Sequence, residues 1–239
     1  MKSKNLFWLP ATGLSLFLIA CGPAGEDRQA YNPQIDPARF VSGVGNEFFP
    51  LVPGTSYFYE EAGGGERVEV TVTDQTREIM GVTCTVVLSR EHQGEELTEE
   101  TWDWYAQDAD GNVWYFGEQT RKYKDGEMAG TRGSWEAGRD GALPGIIMPG
   151  QPQVGDSYRQ EYYPGQAEDM GEVVRLNDVA TVPEGNYTGV LVTRDWTPLE
   201  PGVEEHKYYA PGVGLILEVE GEDRVELVRI SPPPAPHPQ

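Results

Sequence analysis

The sequence predicts a mainly β protein: about ten or eleven antiparallel strands in a strongly curled sheet or a two-layer half-barrel. Three observations predict it. Short runs of alternating apolar and polar residues recur with Gly, Pro, Asp and Asn between them, and no long stretch carries a helical period. The aromatic residues gather in two neighbouring runs, Thr98–Gln107 and Asn112–Phe116, joined by the acidic turn Asp108–Gly111. Segments of the first half also reappear about a hundred residues later, so the sheet is expected to be two repeated meanders with an irregular insert between them.

The chain begins with Lys2 and Lys4, then an apolar run from Leu6 to Ala20 that is too short for a stable membrane span. Residues 1–20 therefore read as a signal peptide. The run ends in Leu18-Ile19-Ala20-Cys21, which resembles the lipobox of bacterial lipoproteins. That resemblance implies cleavage before Cys21 and acylation of Cys21, by palmitate-like chains among others. Two or three chains on one residue give lasting attachment where one is marginal. The next residue is Gly22 rather than Asp, which in the family's sorting rule favours the outer membrane of a Gram-negative envelope. Residues 21–46, rich in Gly, Pro, Asp and Gln, read as the lipidated N-terminus and a flexible tether.

Charge narrows the partners. Residues 1–20 hold two lysines and no acids, so the rest carries 16 basic and 39 acidic residues, a formal charge of −23. Nucleic acid and anionic head groups are repelled by such a chain; the membrane is reached through the lipid on Cys21. With Cys21 acylated, Cys84 is left without a disulfide partner and reads as a small strand residue.

Residues 47–230 form the single β domain. Its first repeat, 47–117, holds strands over Tyr57–Glu61, Arg67–Thr73, Ile79–Arg90, Glu99–Gln107 and Asn112–Gly117. The second, 151–230, holds Ser157–Tyr163, Gly171–Val182, Tyr187–Asp195, Glu204–Ala210, Leu215–Glu220 and Arg224–Ile230. The repeat rests on Gly81–Glu91 against Gly185–Asp195, and at the same offset on Trp104-Tyr105-Ala106 against Tyr208-Tyr209-Ala210. Residues 118–150 have no counterpart and read as an ordered loop over the sheet, because Trp135, Leu143, Ile146 and Ile147 are residues that seek burial. Residues 231–239, with five prolines, read as an extended tail.

Three kinds of chemistry are open to these residues. The turn Asp108-x-Asp110-Gly111-Asn112 has the first oxygen positions of a calcium loop, with Glu118 further on, so a calcium site at Asp108, Asp110, Asn112 and Glu118 is one reading. Val113 and Gln119 depart from that loop, and a plain hairpin turn explains Asp and Gly equally well. Trp104, Trp114, Trp135 and Asp140 are the candidate ligand-binding residues, as an aromatic platform with a polar partner. Glu136 with Asp103 is the candidate acid–base pair, drawn from a pool that also holds Asp140, Glu168 and Asp169. No nucleophile elbow, phosphate loop, dinucleotide fingerprint or zinc spacing is present.

The hairpin Tyr105–Glu118, with Pro50-Leu51-Val52-Pro53-Gly54 and Tyr208–Gly214, resembles a group of uncharacterised bacterial secreted or lipid-anchored β-rich proteins. That resemblance implies an envelope location and no activity. The many-stranded layout is loosely similar to that of periplasmic lipoprotein carriers. The expected function is a non-catalytic ligand-binding or structural lipoprotein, with calcium as the one cofactor in view. The alternatives are a carboxylate hydrolase of envelope glycans and a carrier of acyl chains in the concave sheet.

Overall fold

Alternation turns this sequence into a sheet with an inside. In Ser56–Glu61 the residues Tyr57 and Tyr59 are buried while Glu60 is exposed, and the same period runs through most strands. A computed structural model describes residues 31–232. The proposed signal peptide, Cys21, residues 22–30 and the tail at 233–239 lie outside the described residues.

Seventeen strands follow one short 3-10 turn, Pro37–Arg39. A small ribbon, β1 (Val44–Asn46) with β2 (Phe49–Leu51), stands apart. The first long meander is β3 (Ser56–Glu61), β4 (Glu66–Ile79), β5 (Val82–Gln93), β6 (Glu96–Gln107) and β7 (Val113–Lys124). Then come β8 (Glu127–Gly130), β9 (Trp135–Glu136) and β10 (Leu143–Met148). The second meander is β11 (Ser157–Arg159), β13 (Met170–Val182), β14 (Gly185–Trp196), β15 (Glu204–Ala210) and β16 (Gly214–Glu220). Between and after them lie β12 (Glu161–Tyr162) and β17 (Asp223–Ser231).

All but β1 and β2 join one 15-stranded antiparallel sheet, which is not closed into a barrel. Its main path runs β11-β13-β14-β15-β16-β17-β3-β4-β5-β6-β7-β10-β12, so the two meanders follow one another in the same strand order. The two ends of that path, β11 and β12, are separated in the chain by Gln160 alone. The sheet therefore curls until its edges meet at one buried residue. Gly145 of β10 marks how close they come: a side chain there would sit 2.3 Å from the Gln160 carbonyl.

Two expectations are corrected here. The segment 118–150 is not an irregular loop: it supplies the outer half of β7 and all of β8, β9 and β10, each paired to β7. β8, β9 and β10 are only two to six residues long, so they borrow their order from a neighbour and show no period of their own. Residues 31–46 are not a free tether. Tyr31 donates to the Pro144 carbonyl at 2.8 Å, Phe40 packs edge-on against Phe116 at 5.6 Å, and Asn46 donates to Gly111 and Pro149 carbonyls. Composition hid this because Gly and Pro also suit a strap that lies flat on a sheet.

Candidate functional site

The inward face of β6 carries Asp103 and Tyr105, and that of β7 carries Tyr115 and Glu118, each about 1% exposed. Asp103 stands opposite Glu118 across the ladder, and Tyr105 opposite Tyr115. The two tyrosine rings stack at 4.9 Å. The Tyr115 hydroxyl lies 2.7 Å from Asp103 Oδ1 and 3.2 Å from Glu118 Oε2. A phenol has one proton and donates it to one carboxylate, the nearer Asp103. Glu118 then satisfies its contact by bringing a proton of its own.

The electrostatics agree. Burial pushes the Asp103 carboxyl up to about 7, against the Tyr115 hydrogen bond, and nearby Glu99 adds to the rise. Burial, then the charges of Asp103 and Glu99, hold Glu118 well above the usual carboxylate range. Glu161 of β12, fully buried, is raised in the same way by burial, Asp169 and Glu118. Asp103 Oδ2 and both Glu161 oxygens find no hydrogen-bond donor among the described residues by distance and angle, and Glu118 Oε1 has only the Thr120 hydroxyl beside it, which lowers the Glu118 pKa somewhat without meeting hydrogen-bond geometry. The Trp135 indole N–H lies beside Glu161 and lowers its pKa somewhat, but its geometry falls short of a hydrogen bond. Nearby, Glu99 has a cation of its own, Lys122 Nζ at 2.9 Å.

A pocket of about 210 Å³ opens beside this cluster, between β7 and residues 131–142. Trp104, Trp135 and Tyr163 are its rings, Glu136, Arg139 and Asp140 are its charged groups, and Glu118 borders it with its carboxyl shut off from solvent. Residues 131–142 reach this position because Gly117 has φ +124° and no side chain; a Cβ there would lie 2.3 Å from the Trp135 carbonyl. Ser134 Oγ accepts from the Thr120 N–H at 2.8 Å and fastens the segment to β7. Trp135 then packs edge-on to Tyr115 at 5.4 Å.

The structure sorts the residues singled out in the sequence. Trp104, Trp135 and Asp140 share the pocket, with Glu118 and Glu136. Trp114 does not: its indole donates to Asp108 Oδ2 at 2.8 Å and its ring faces Phe40. Glu136 follows Trp135 on a two-residue strand and so points to the other face, where it pairs with Arg77 and, at 2.6 Å, with Arg139. Asp103 is buried on the inner face, so Glu136 and Asp103 do not confront one another across a cleft. Arg77 also covers the outer face of Trp104, 4.1 Å from the ring centroid.

At the acidic turn both Asp108 oxygens are taken. Oδ1 accepts from the Asp110 and Asn112 N–H groups, and Oδ2 from Asn112 Nδ2 and Trp114 Nε1. Asp110 pairs with Arg39 at 2.6 Å, and Asn112 Oδ1 accepts from Gly150. Glu118 is five residues along β7 from Val113, turned inward with Asp103. Among the described residues no group of three or more His, Cys, Asp or Glu is arranged to hold a metal ion. Cys84 is buried, and burial pushes its thiol up to about 12, as expected of a packed strand residue. The apolar pocket bounded by Phe49, Leu51, Val70 and Leu215 measures about 20 Å³, room for about one water and not for an acyl chain.

What sequence reasoning missed is the charged interior. Lys207 of β15, 4% exposed, lies 2.7 Å from Glu205 and 3.3 Å from Asp195, opposite Glu218 across the ladder. Its signal was legible: it falls in the position of Asp103 when Trp104-Tyr105-Ala106 is laid on Tyr208-Tyr209-Ala210. In both ladders two steps along the first strand span three along the second, from Asp103 and Glu118 to Tyr105 and Tyr115, and from Lys207 and Glu218 to Tyr209 and Leu215. The preceding strand obeys the repeat less well. Val87 faces Asp103, whereas Thr193, not Leu191, faces Lys207, a slip of two residues that keeps every side chain on its face.

No protein-family model matches the chain, and no curated protein matches it. One solved structure is similar, that of a Parabacteroides distasonis protein provisionally named a lipoprotein, at 11% identity over 78% of this chain and 99% of that one, with a TM-score of 0.42. A likeness that distant carries no weight for the class of this protein. The class that fold and site define is a strongly curled antiparallel β protein with a pocket beside a buried acidic cluster.

Proposed function

We propose that the chain is a cell-envelope lipoprotein, anchored through Cys21, whose β domain is a non-catalytic module that binds a small ligand in the pocket beside β7. The anchor rests on the lipobox-like Leu18-Ile19-Ala20-Cys21 after a short apolar run. The binding role rests on one observation: a pocket of about 210 Å³ walled by Trp104, Trp135 and Tyr163. A hydrolytic role is less well supported, since Glu136 is tied to two arginines and faces away from Asp103.

Two measurements test this. The intact mass of the membrane-extracted chain should correspond to a start at Cys21 plus acyl groups, and Cys21→Ser should release the chain into the soluble fraction. Native mass spectrometry of the mature chain in detergent, with cell extract as ligand source, should show a small adduct that Trp135→Ala loses. A chain that keeps residues 1–20 and carries no acyl group refutes the anchor. An adduct indifferent to Trp135→Ala refutes the pocket.

A further inference from the structure

The sheet is held most thinly at the seam where its two ends meet. There β12 pairs with β10 only through Leu143 with Tyr162 and Pro144 with Glu161, and β11 with β13 only from Ser157 to Arg159. Pro144 has no N–H to give, so the ladder lacks a donor opposite Glu161. By contrast, β4 and β5 stay paired from Glu66 with Gln93 to Ile79 with Val82. Outside, the strap closes the seam. Tyr31 donates to the Pro144 carbonyl of β10 at 2.8 Å, and its ring meets Tyr162 of β12 edge-on at 5.5 Å. Arg159 of β11 lies over both rings, at 5.4 and 4.7 Å. Inside stands Glu161, fully buried, with neither oxygen reached by a donor among the described residues. The groups that bear on it are Asp169 just ahead of β13, Glu118 of β7, the Trp135 indole of β9, and Asp103 of β6 with Glu99 beyond. The Tyr105 and Tyr115 hydroxyls stand near the same carboxyls. Lys207 acts on Asp169 but is already paired with Glu205 and Asp195.

We propose that this seam is a pH-operated opening in the fold: β11 and β12 stay in the sheet while the acids behind them are neutral, and swing out when those acids ionise. An ionised Glu161 would be a buried charge among like charges, with no ion-pair partner among the described residues. Releasing β12 carries that carboxyl into water at the loss of two residue pairs, far less than undoing a long ladder. The sign follows from the groups. Burial pushes Asp103 up to about 7 and Asp169 up to about 8, and burial with Asp169 and Glu118 raises Glu161. Closure is therefore complete in acid and is lost as pH climbs through those values. Tyr163, which follows β12 directly, is a wall of the pocket, so the same opening takes the pocket apart.

The test is hydrogen exchange of the mature chain in detergent, read by mass spectrometry at about pH 6 and about pH 8.5 and corrected for the intrinsic pH dependence of exchange. At the lower pH, peptides from 143–148 and 157–163 should be protected. At the higher pH they should exchange as fast as an unfolded peptide, while peptides from β4 and β5 remain protected. Glu161→Gln removes the carboxyl that the seam itself carries, and should slow exchange of 143–148 and 157–163 at the higher pH by about tenfold or more. Tyr31→Ala removes the outer contacts without touching the acids, and should open the seam at a lower pH than in the wild type. If Glu161→Gln does not fold, Tyr31→Ala decides. A seam still protected at the higher pH overturns the proposal. So does protection lost only together with that of β4 and β5, exchange equally fast in Glu161→Gln, or an unchanged opening pH in Tyr31→Ala.

Discussion

Asp103–Glu118 and Lys207–Glu218 are the same pair of places in two meanders of one sheet, opposite in charge balance. Around Lys207, burial works against the ammonium, but Glu205, Asp195 and Glu218 more than offset it and its pKa rises. The site is internally compensated. Around Asp103 two carboxyls share the Tyr115 phenol, Glu161 finds no donor, and the local solution is to keep protons. A curled sheet fixes which side chains meet but not the sign of their charge. One pattern of strands therefore carries a structural ion cluster on one side and an unfinished acidic site on the other.

The comparison is broken most severely by removing the compensation. Lys207→Met strands Asp195, Glu205 and Glu218 in the interior, and should cost about 3–5 kcal/mol in urea unfolding at pH 7. Losses below about 1 kcal/mol would mean that these acids are already neutral and that Lys207 is no compensator.

The acidic side should respond to pH in the opposite sense from ordinary acid denaturation. Asp103, Glu118 and Glu161 are raised in the folded chain, so it holds more protons than the unfolded one above the normal carboxylate range. Their contribution is complete below about pH 4 and is lost as pH climbs through about 7. Asp169, pushed by burial to about 8, extends the loss. Stability should fall between pH 5 and pH 8, with Asp103 alone worth on the order of 4 kcal/mol across its range. Asp103→Asn should flatten that slope, and a melting curve unchanged between pH 5 and pH 8 would contradict it.

Smaller effects sharpen the difference between the meanders. Gly117 sits beside Glu118 where Leu217 sits beside Glu218, because only the first meander has a segment packed over it. Gly117→Ala should cost about 2–3 kcal/mol through the positive φ and the collision with Trp135, and should shift the tryptophan emission. The same change at Leu217 would leave the emission of Trp135 alone. At the turns, Asp108 organises four donors where the second meander uses Pro211-Gly212-Val213. Asp108→Ala should therefore cost about 1–2 kcal/mol, and millimolar calcium should leave Tm unchanged in both forms. A calcium-dependent rise lost in Asp108→Ala would restore the metal reading of the turn.

Much of the frame was legible. Strands predicted at Tyr57–Glu61, Gly171–Val182 and Glu204–Ala210 fall within one residue of β3, β13 and β15, because a period of two survives wherever one face is buried. The site was half legible. Trp104, Trp135 and Asp140 do meet, but Trp114 belongs to the turn and Glu136 to the outer face. Both faces of β6 carry aromatics, so alternation could not say that Asp103 and Tyr105 look inward while Trp104 lies under Arg77.

By itself the sequence determined the long strands, their antiparallel order in two meanders and the acidity of the whole, since these follow from local period, turn residues and composition. Only the tertiary structure decided which acids are withdrawn from water, which of them gain a lysine, and where a pocket forms nearby. The reason is geometric: burial and pairing depend on how far the sheet curls, and the curl brings β11, β12 and β7 together from places in the chain that no local pattern connects.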